Sequence, residues 1–165
     1  MHDDQHIWNF ALTMFFVGLV GVSMGLLARF AELPTTITLF DAALITFASF
    51  RLVRLMTYDK VMQWFRDLFV HSEVRYGDGE ERMVVRQAYA SGPLRAMHEL
   101  LSCPWCFGVW AAFLVSFFYF LSPLAWYPIF ALAVAGVATL LMLLANLIGW
   151  HAEHKKWVCE RDQRS

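Results

Sequence analysis

LAWYPIFALAVAGVATLLMLLANLIGW, residues 124–150, contains no Asp, Glu, Lys or Arg. A helix rises about 1.5 Å per residue and the hydrocarbon core of a bilayer is about 30 Å thick, so roughly 20 mostly apolar residues cross it. Working outward from this run, residues 105–121, 37–57 and 7–30 are also long and mostly apolar. The chain therefore reads as an all-α polytopic membrane protein, a single membrane domain over 1–165 with four transmembrane helices. The composition agrees: 59% of residues are hydrophobic and 16% charged, against about 45–50% and 25% in a soluble domain. The net charge of −1 gives no reason to expect nucleic acid as a partner; the lipid bilayer is the partner these residues require.

Orientation follows from Lys and Arg. Lys60, Arg66, Arg75, Arg82, Arg86 and Arg95 lie between the second and third spans, and Lys155, Lys156, Arg161 and Arg164 follow the fourth. The connection between the first two spans holds only Arg29, and Ser122-Pro123 holds none. This places both termini, the loop 71–102 and the tail 151–165 in the cytoplasm. The first span lacks a basic leader and is long for the apolar part of a signal peptide, so it reads as retained.

In the first helix Gly18, Gly21 and Gly25 share one face, the spacing that lets another backbone approach closely. Packing within the chain and a seam between two copies, or with another membrane protein, both fit. The second helix carries Arg51, Arg54 and Tyr58 on one stripe. Arginine at the centre of a membrane helix costs at least ~2.5 kcal/mol, less towards the rim. Either these side chains snorkel to headgroup phosphates, or one of them pairs with a carboxylate such as Asp59 or Glu99 or holds an anionic ligand. Val61, Trp64, Phe65, Leu68 and Phe69 then repeat at helical spacing with Lys60, Gln63, Arg66 and Asp67 opposite, predicting an amphipathic interfacial helix over 59–70. Tyr76-Gly77-Asp78-Gly79 is turn chemistry between short runs containing Val74 and Met83–Val85, so the hydrophilic stretch from Glu73 to Arg86 is either a small hairpin or a loop. Gly92-Pro93 opens a short amphipathic helix.

Cys103-Pro104-Trp105-Cys106 stands at the mouth of the third span. Pro104 suits a first helical position, and a helix N-terminus favours a thiolate. Three readings follow. The pair is a plain helix start, or a thiol-redox site, or half of a zinc site. For zinc, the topology brings His98, His151, His154 and Cys159 to the same membrane face, and thiolates with imidazoles suit tetrahedral coordination. No other cofactor is called for, and no catalytic Ser/His/Asp set or carboxylate pair emerges.

The string from Arg51 to Lys60, with Leu100-Leu101-Ser102-Cys103-Pro104-Trp105-Cys106-Phe107-Gly108-Val109-Trp110, resembles an uncharacterised bacterial and phage family of small integral membrane proteins that includes the sporulation protein YjcA. The resemblance covers approximately residues 42–147. It implies an inner-membrane protein and carries no established catalytic residues.

The function expected is therefore binding or structural rather than enzymatic. The Arg51/Arg54/Tyr58 stripe is expected to face the Cys103–Cys106 mouth, with Gly108 allowing close helix approach there. Membrane thiol redox, zinc binding and a pore or phage-lysis role are the alternatives.

Overall fold

The computed structural model describes residues 2–30, 36–76, 82–89 and 91–162, with side chains for 5–30, 36–70, 89 and 91–157. Helix α1 (His2–Phe30) is followed by α2 (Leu39–Thr57), a 3-10 turn (Lys60–Met62) and α3 (Gln63–Asp67). Strands β1 (Val70–Tyr76) and β2 (Arg82–Ala88) come next, then α4 (Pro93–Ser102), α5 (Pro104–Leu121), a 3-10 turn (Pro123–Ala125) and α6 (Trp126–Asp162).

Each helix boundary has a local cause. Thr38 caps α2 through a capping box: its hydroxyl accepts from the Asp41 amide at 3.2 Å, and Asp41 Oδ2 accepts from the Thr38 amide at 3.1 Å. Gly92, at φ +110°, makes the turn into α4, with Pro93 in the first helical turn. Cys103 stands in extended backbone between α4 and α5, so the chain bends there. Ser122 and Pro123 end α5, and the Ser122 hydroxyl accepts from the Leu124 amide at 3.3 Å.

Contacts fix the relative directions of the long helices. Asp41, at the start of α2, meets Tyr119, at the end of α5. Leu52, Val53 and Met56, near the end of α2, pack with Leu100 of α4 and with Phe107 and Ala111 near the start of α5. These two helices are thus antiparallel. Phe47 meets Gly136 in the first half of α6, while Leu44 and Ala48 pack with Val115, Ile129 and Ala133, which makes α2 and α6 parallel. The Phe16 ring meets Trp110 at a tilt and Phe113 edge-on, and Gln5 accepts from the Gly92 amide at 3.3 Å, which sets α1 parallel to α5. The starts of α1 and α5 and the later parts of α2 and α6 therefore lie towards one end, together with α3 and α4.

Among the described residues, three helices are long and apolar enough to cross a membrane: Gln5–Phe30, Pro104–Leu121 and Pro123–Trp157. Helix α2 has 19 residues, but Asp41, Arg51 and Arg54 fall within it, and it is not among the three. Only 6% of the apolar stretch of α1 is buried, and Trp105 and Leu124 are 87% and 84% exposed. Water opposes so apolar an exterior; lipid does not.

One expectation is refined and another needs correction. The fold is helical but for one small sheet: the stretch read as either a hairpin or a loop is an antiparallel strand pair running from Val70↔Ala88 to Tyr76↔Arg82, and the short helix read from Gly92-Pro93, within the loop 71–102, is α4. Val70, Val74, Val84 and Val85 supply the β-branched residues that favour strands; residues 77–81, which join the strands, lie outside the described residues. The interfacial helix expected over 59–70 is broken into the 3-10 turn and the five-residue α3. Asp59 is still extended at φ −73° and ψ 142°, and Val70 already belongs to β1.

Candidate functional site

The polar groups cluster at the α4 end of the bundle. Near the end of α2, Arg51 Nη2 pairs with Asp59 Oδ2 at 3.0 Å, both side chains about a quarter exposed (23% and 26%). The pair forms because α2 stops at Thr57 and the chain turns extended at Asp59, which brings the carboxylate back beside the helix. Arg54 lies over the ring of Tyr58, its guanidinium carbon 5.3 Å from the ring centre, and its Nε is buried with no acceptor. Arg66 Nη1 donates to the Met56 carbonyl at 2.9 Å, which satisfies one of the carbonyls that a helix end leaves unpaired. Glu99 pairs within α4, accepting from Arg95 Nε at 2.9 Å.

The face of α2 that meets the α4–α5 corner is made by Leu52, Val53 and Met56. Arg51 instead lies beside α6, its Cβ 3.4 Å from where a side chain on Gly136 would begin. For Arg51, the expected approach to the cysteine mouth is therefore replaced by a place beside α6.

At that mouth Cys103 and Cys106 are both thiols, Cys106 exposed and Cys103 half-buried. Cys103 caps α5: its Sγ accepts from the Cys106 amide at 3.2 Å. The Cys106 thiol and then this amide hold the Cys103 thiol below the usual thiol range, against a smaller opposing effect of desolvation. The arrangement can stabilise a thiolate at Cys103. Cys106 opens onto a cleft of about 290 Å³ with Asn9, Thr13, Glu99 and Trp110. His98 lies elsewhere: its Nε2 is 3.5 Å from Ser102 Oγ, and it lines a separate cavity with Arg66. His151 and His154 are exposed on α6, and the side chain of Cys159 is outside the described residues. Among the described residues no three of His, Cys, Asp or Glu gather as metal ligands.

The glycines chosen from sequence make no close approach within the chain. A Cβ built on Gly18, Gly21, Gly25 or Gly108 meets nothing within 4 Å. Gly136 is the close approach, since its Cβ would collide with the Phe47 carbonyl oxygen and come within 3.1 Å of the carbonyl carbon. The signal was present in the run of small residues Ala131, Ala133, Ala135, Gly136 and Ala138. Also missed was Tyr119, whose hydroxyl donates to Asp41 Oδ1 at 2.6 Å; a tyrosine inside an apolar helix needs a partner for its polar tip.

Compared with known proteins, residues 44–145 match the family described as protein of unknown function DUF1360. The sporulation protein YjcA of Bacillus subtilis (strain 168) is 36% identical over 105 residues, covering 62% of this chain and 88% of the relative. The UPF0713 protein YngL of the same organism is 31% identical over 102 residues, covering 59% and 72%. No solved structure matches the chain. The matched region contains α2 from Leu44 onward, Cys103, Cys106 and Gly136, and leaves out α1 and the tail.

Proposed function

We propose, from the premise that this chain belongs to the DUF1360 family of proteins of unknown function, that it is a four-span protein of the bacterial plasma membrane that acts by binding rather than by catalysis. In this reading α2 is the fourth span, and the α4 end, with both termini, faces the cytoplasm. The observation that carries it is the distribution of charge. Arg51, Arg54, Lys60, Arg66 and Arg95 lie at the α4 end, with Lys155 and Lys156 beyond it on α6, whereas Arg29 alone of the Lys and Arg among the described residues lies at the opposite end. A cationic rim on one side is the mark of a cytoplasmic face. The charges of α2 are compatible with a span: Arg51 is paired, Arg54 is one turn from the helix end, and Asp41 belongs to the capping box at the other end.

The test is thiol labelling of Cys103 and Cys106. In intact cells an impermeant maleimide should leave both unmodified, and in inside-out vesicles it should modify the exposed Cys106. Labelling from outside intact cells would overturn the orientation.

A second reading, thiol exchange at Cys103, is favoured by the hydrogen bond from the Cys106 amide. Because the thiolate is stabilised, alkylation of Cys103 should reach half its maximal rate at a lower pH than that of an ordinary thiol. In a Cys159→Ser background, Cys106→Ala should move that midpoint upward while the amide bond keeps it below the ordinary value. A midpoint that does not move with Cys106→Ala would remove the support for this reading.

A further inference from the structure

A second cavity, of about 420 Å³, opens where the end of α2, α3, the first residue of β1 and the end of α4 converge. Its volume falls within the range of small-molecule sites, and its lining is of the mixed kind such sites use. Phe69 and Leu101 supply an apolar wall, while Arg66, Asp67, His98 and Ser102 supply polar groups. Arg66 is held in place by its bond to the Met56 carbonyl, which uses one of five guanidinium donors. A cation fixed in advance loses less freedom when it binds an anion. Ser102 Oγ and His98 Nε2 stand 3.5 Å apart in the same lining, so hydroxyl and imidazole approach one region of the cavity. Asp67 adds a negative charge next in sequence to the positive one. A carboxylate offers about four acceptor sites, so a bond within the protein does not exhaust it.

Opposite charges in one small cavity select against a bare anion, which Asp67 would repel, and against a bare cation, which Arg66 would repel. They suit a ligand that carries both. We infer that this cavity binds the headgroup of an aminophospholipid, a phosphodiester with an ammonium group, the phosphate towards Arg66, Ser102 and His98 and the ammonium towards Asp67. The apolar wall of Phe69 and Leu101 would take the glycerol and the first carbons of the chains. This inference rests on the membrane reading given above and names a lipid partner for the α4 end of the bundle.

The experiment is native mass spectrometry of the full chain in detergent, offered equal amounts of phosphatidylethanolamine and phosphatidylglycerol. One phosphatidylethanolamine should be retained preferentially. Arg66→Gln and, separately, Ser102→Ala should each weaken its retention, by about tenfold for the arginine, as expected for one lost charge-assisted bond. Ser102→Ala leaves the Arg66 bond to α2 untouched, so its result stands if Arg66→Gln fails to fold. Displacement of the lipid by soluble phosphoethanolamine, and not by inorganic phosphate at the same concentration, supports recognition of both charges. Equal retention of the two lipids, displacement by phosphate alone, or indifference to Ser102→Ala in a folded protein would overturn the inference. A protein that requires detergent but shows no lipid preference defeats this inference alone; a chain that stays monodisperse in plain buffer defeats the membrane reading as well.

Discussion

A methyl group added at Gly136 would strike the carbonyl of Phe47, a backbone atom that cannot rotate aside, so α2 and α6 would have to separate. Gly136→Ala is expected to destabilise the protein by about 1–3 kcal/mol, read as a lower melting temperature in detergent. Gly18→Ala, which meets open space, should be neutral or slightly stabilising because alanine favours helix. Equal losses at the two sites would contradict the packing described. Charge behaves differently from volume. Asp59→Ala leaves Arg51 without its carboxylate, a cost on the order of 1–3 kcal/mol for a pair between fully exposed and fully buried. Adding Arg51→Leu to Asp59→Ala should restore part of that loss, and a double-mutant cycle with no coupling between the sites would show that the ion pair does not matter. Sequence alone could put Asp59 within reach of Arg51 because both flank the end of one helix. It could not separate Gly136 from the glycines of α1, since the Gly-x-x-x-Gly spacing exists on helices with and without a neighbour on that face.

Helix α2 is tied down at both ends, by Thr38, Asp41 and Tyr119 at its start and by Arg66 on the Met56 carbonyl at its finish. Tyr119→Phe removes the bond between α5 and α2 while keeping the ring. Hydrogen bonds to charged groups reach about 1.5–3 kcal/mol in water-soluble proteins, but those between membrane helices average near 0.6. A loss of about 1 kcal/mol is therefore expected, with Asp41→Ala costing more because it also removes the cap. Unfolding of the purified variants by denaturant checks the order, and a Tyr119→Phe protein as unstable as Asp41→Ala would refute it. The element level is where the sequence was both most and least legible. Long apolar runs gave away α1, α5 and α6. The segment after Thr57 misled, because the apolar spacing from Val61 to Phe69 fits a helix, whereas the ladder with β2 takes over from Val70 onward. Pairing with a distant strand is not visible in local periodicity.

As a whole, the molecule is a core of α2, α5 and α6 with α1 set against one side through Phe15, Phe16 and Gln5. The family match, residues 44–145, leaves α1 out. Deletion of residues 1–30 is accordingly expected to leave an inserted α2–α6 unit in which Cys106 keeps its labelling side, although its melting temperature falls. Labelling of that cysteine from the opposite face would show that α1 sets the topology. The chemistry of the α4 end was harder to foresee than its charge. Arg66 lies far in sequence from His98 and Ser102, and the ends of α2 and α4 with the short α3 are what bring them to one cavity.

Helix α6 has 37 residues and runs unbroken to Asp162. Trp126 and Trp150 near the two ends of its apolar stretch suit the two headgroup layers, and the part from His151 to Asp162 adds roughly 18 Å at about 1.5 Å per residue. That exceeds the Debye length of about 8 Å at physiological salt. With α6 upright in the membrane as proposed above, the tip of this mast would stand beyond the electrostatic grasp of the lipid surface, and a partner meeting it there would be selected by the aqueous compartment and not by the bilayer.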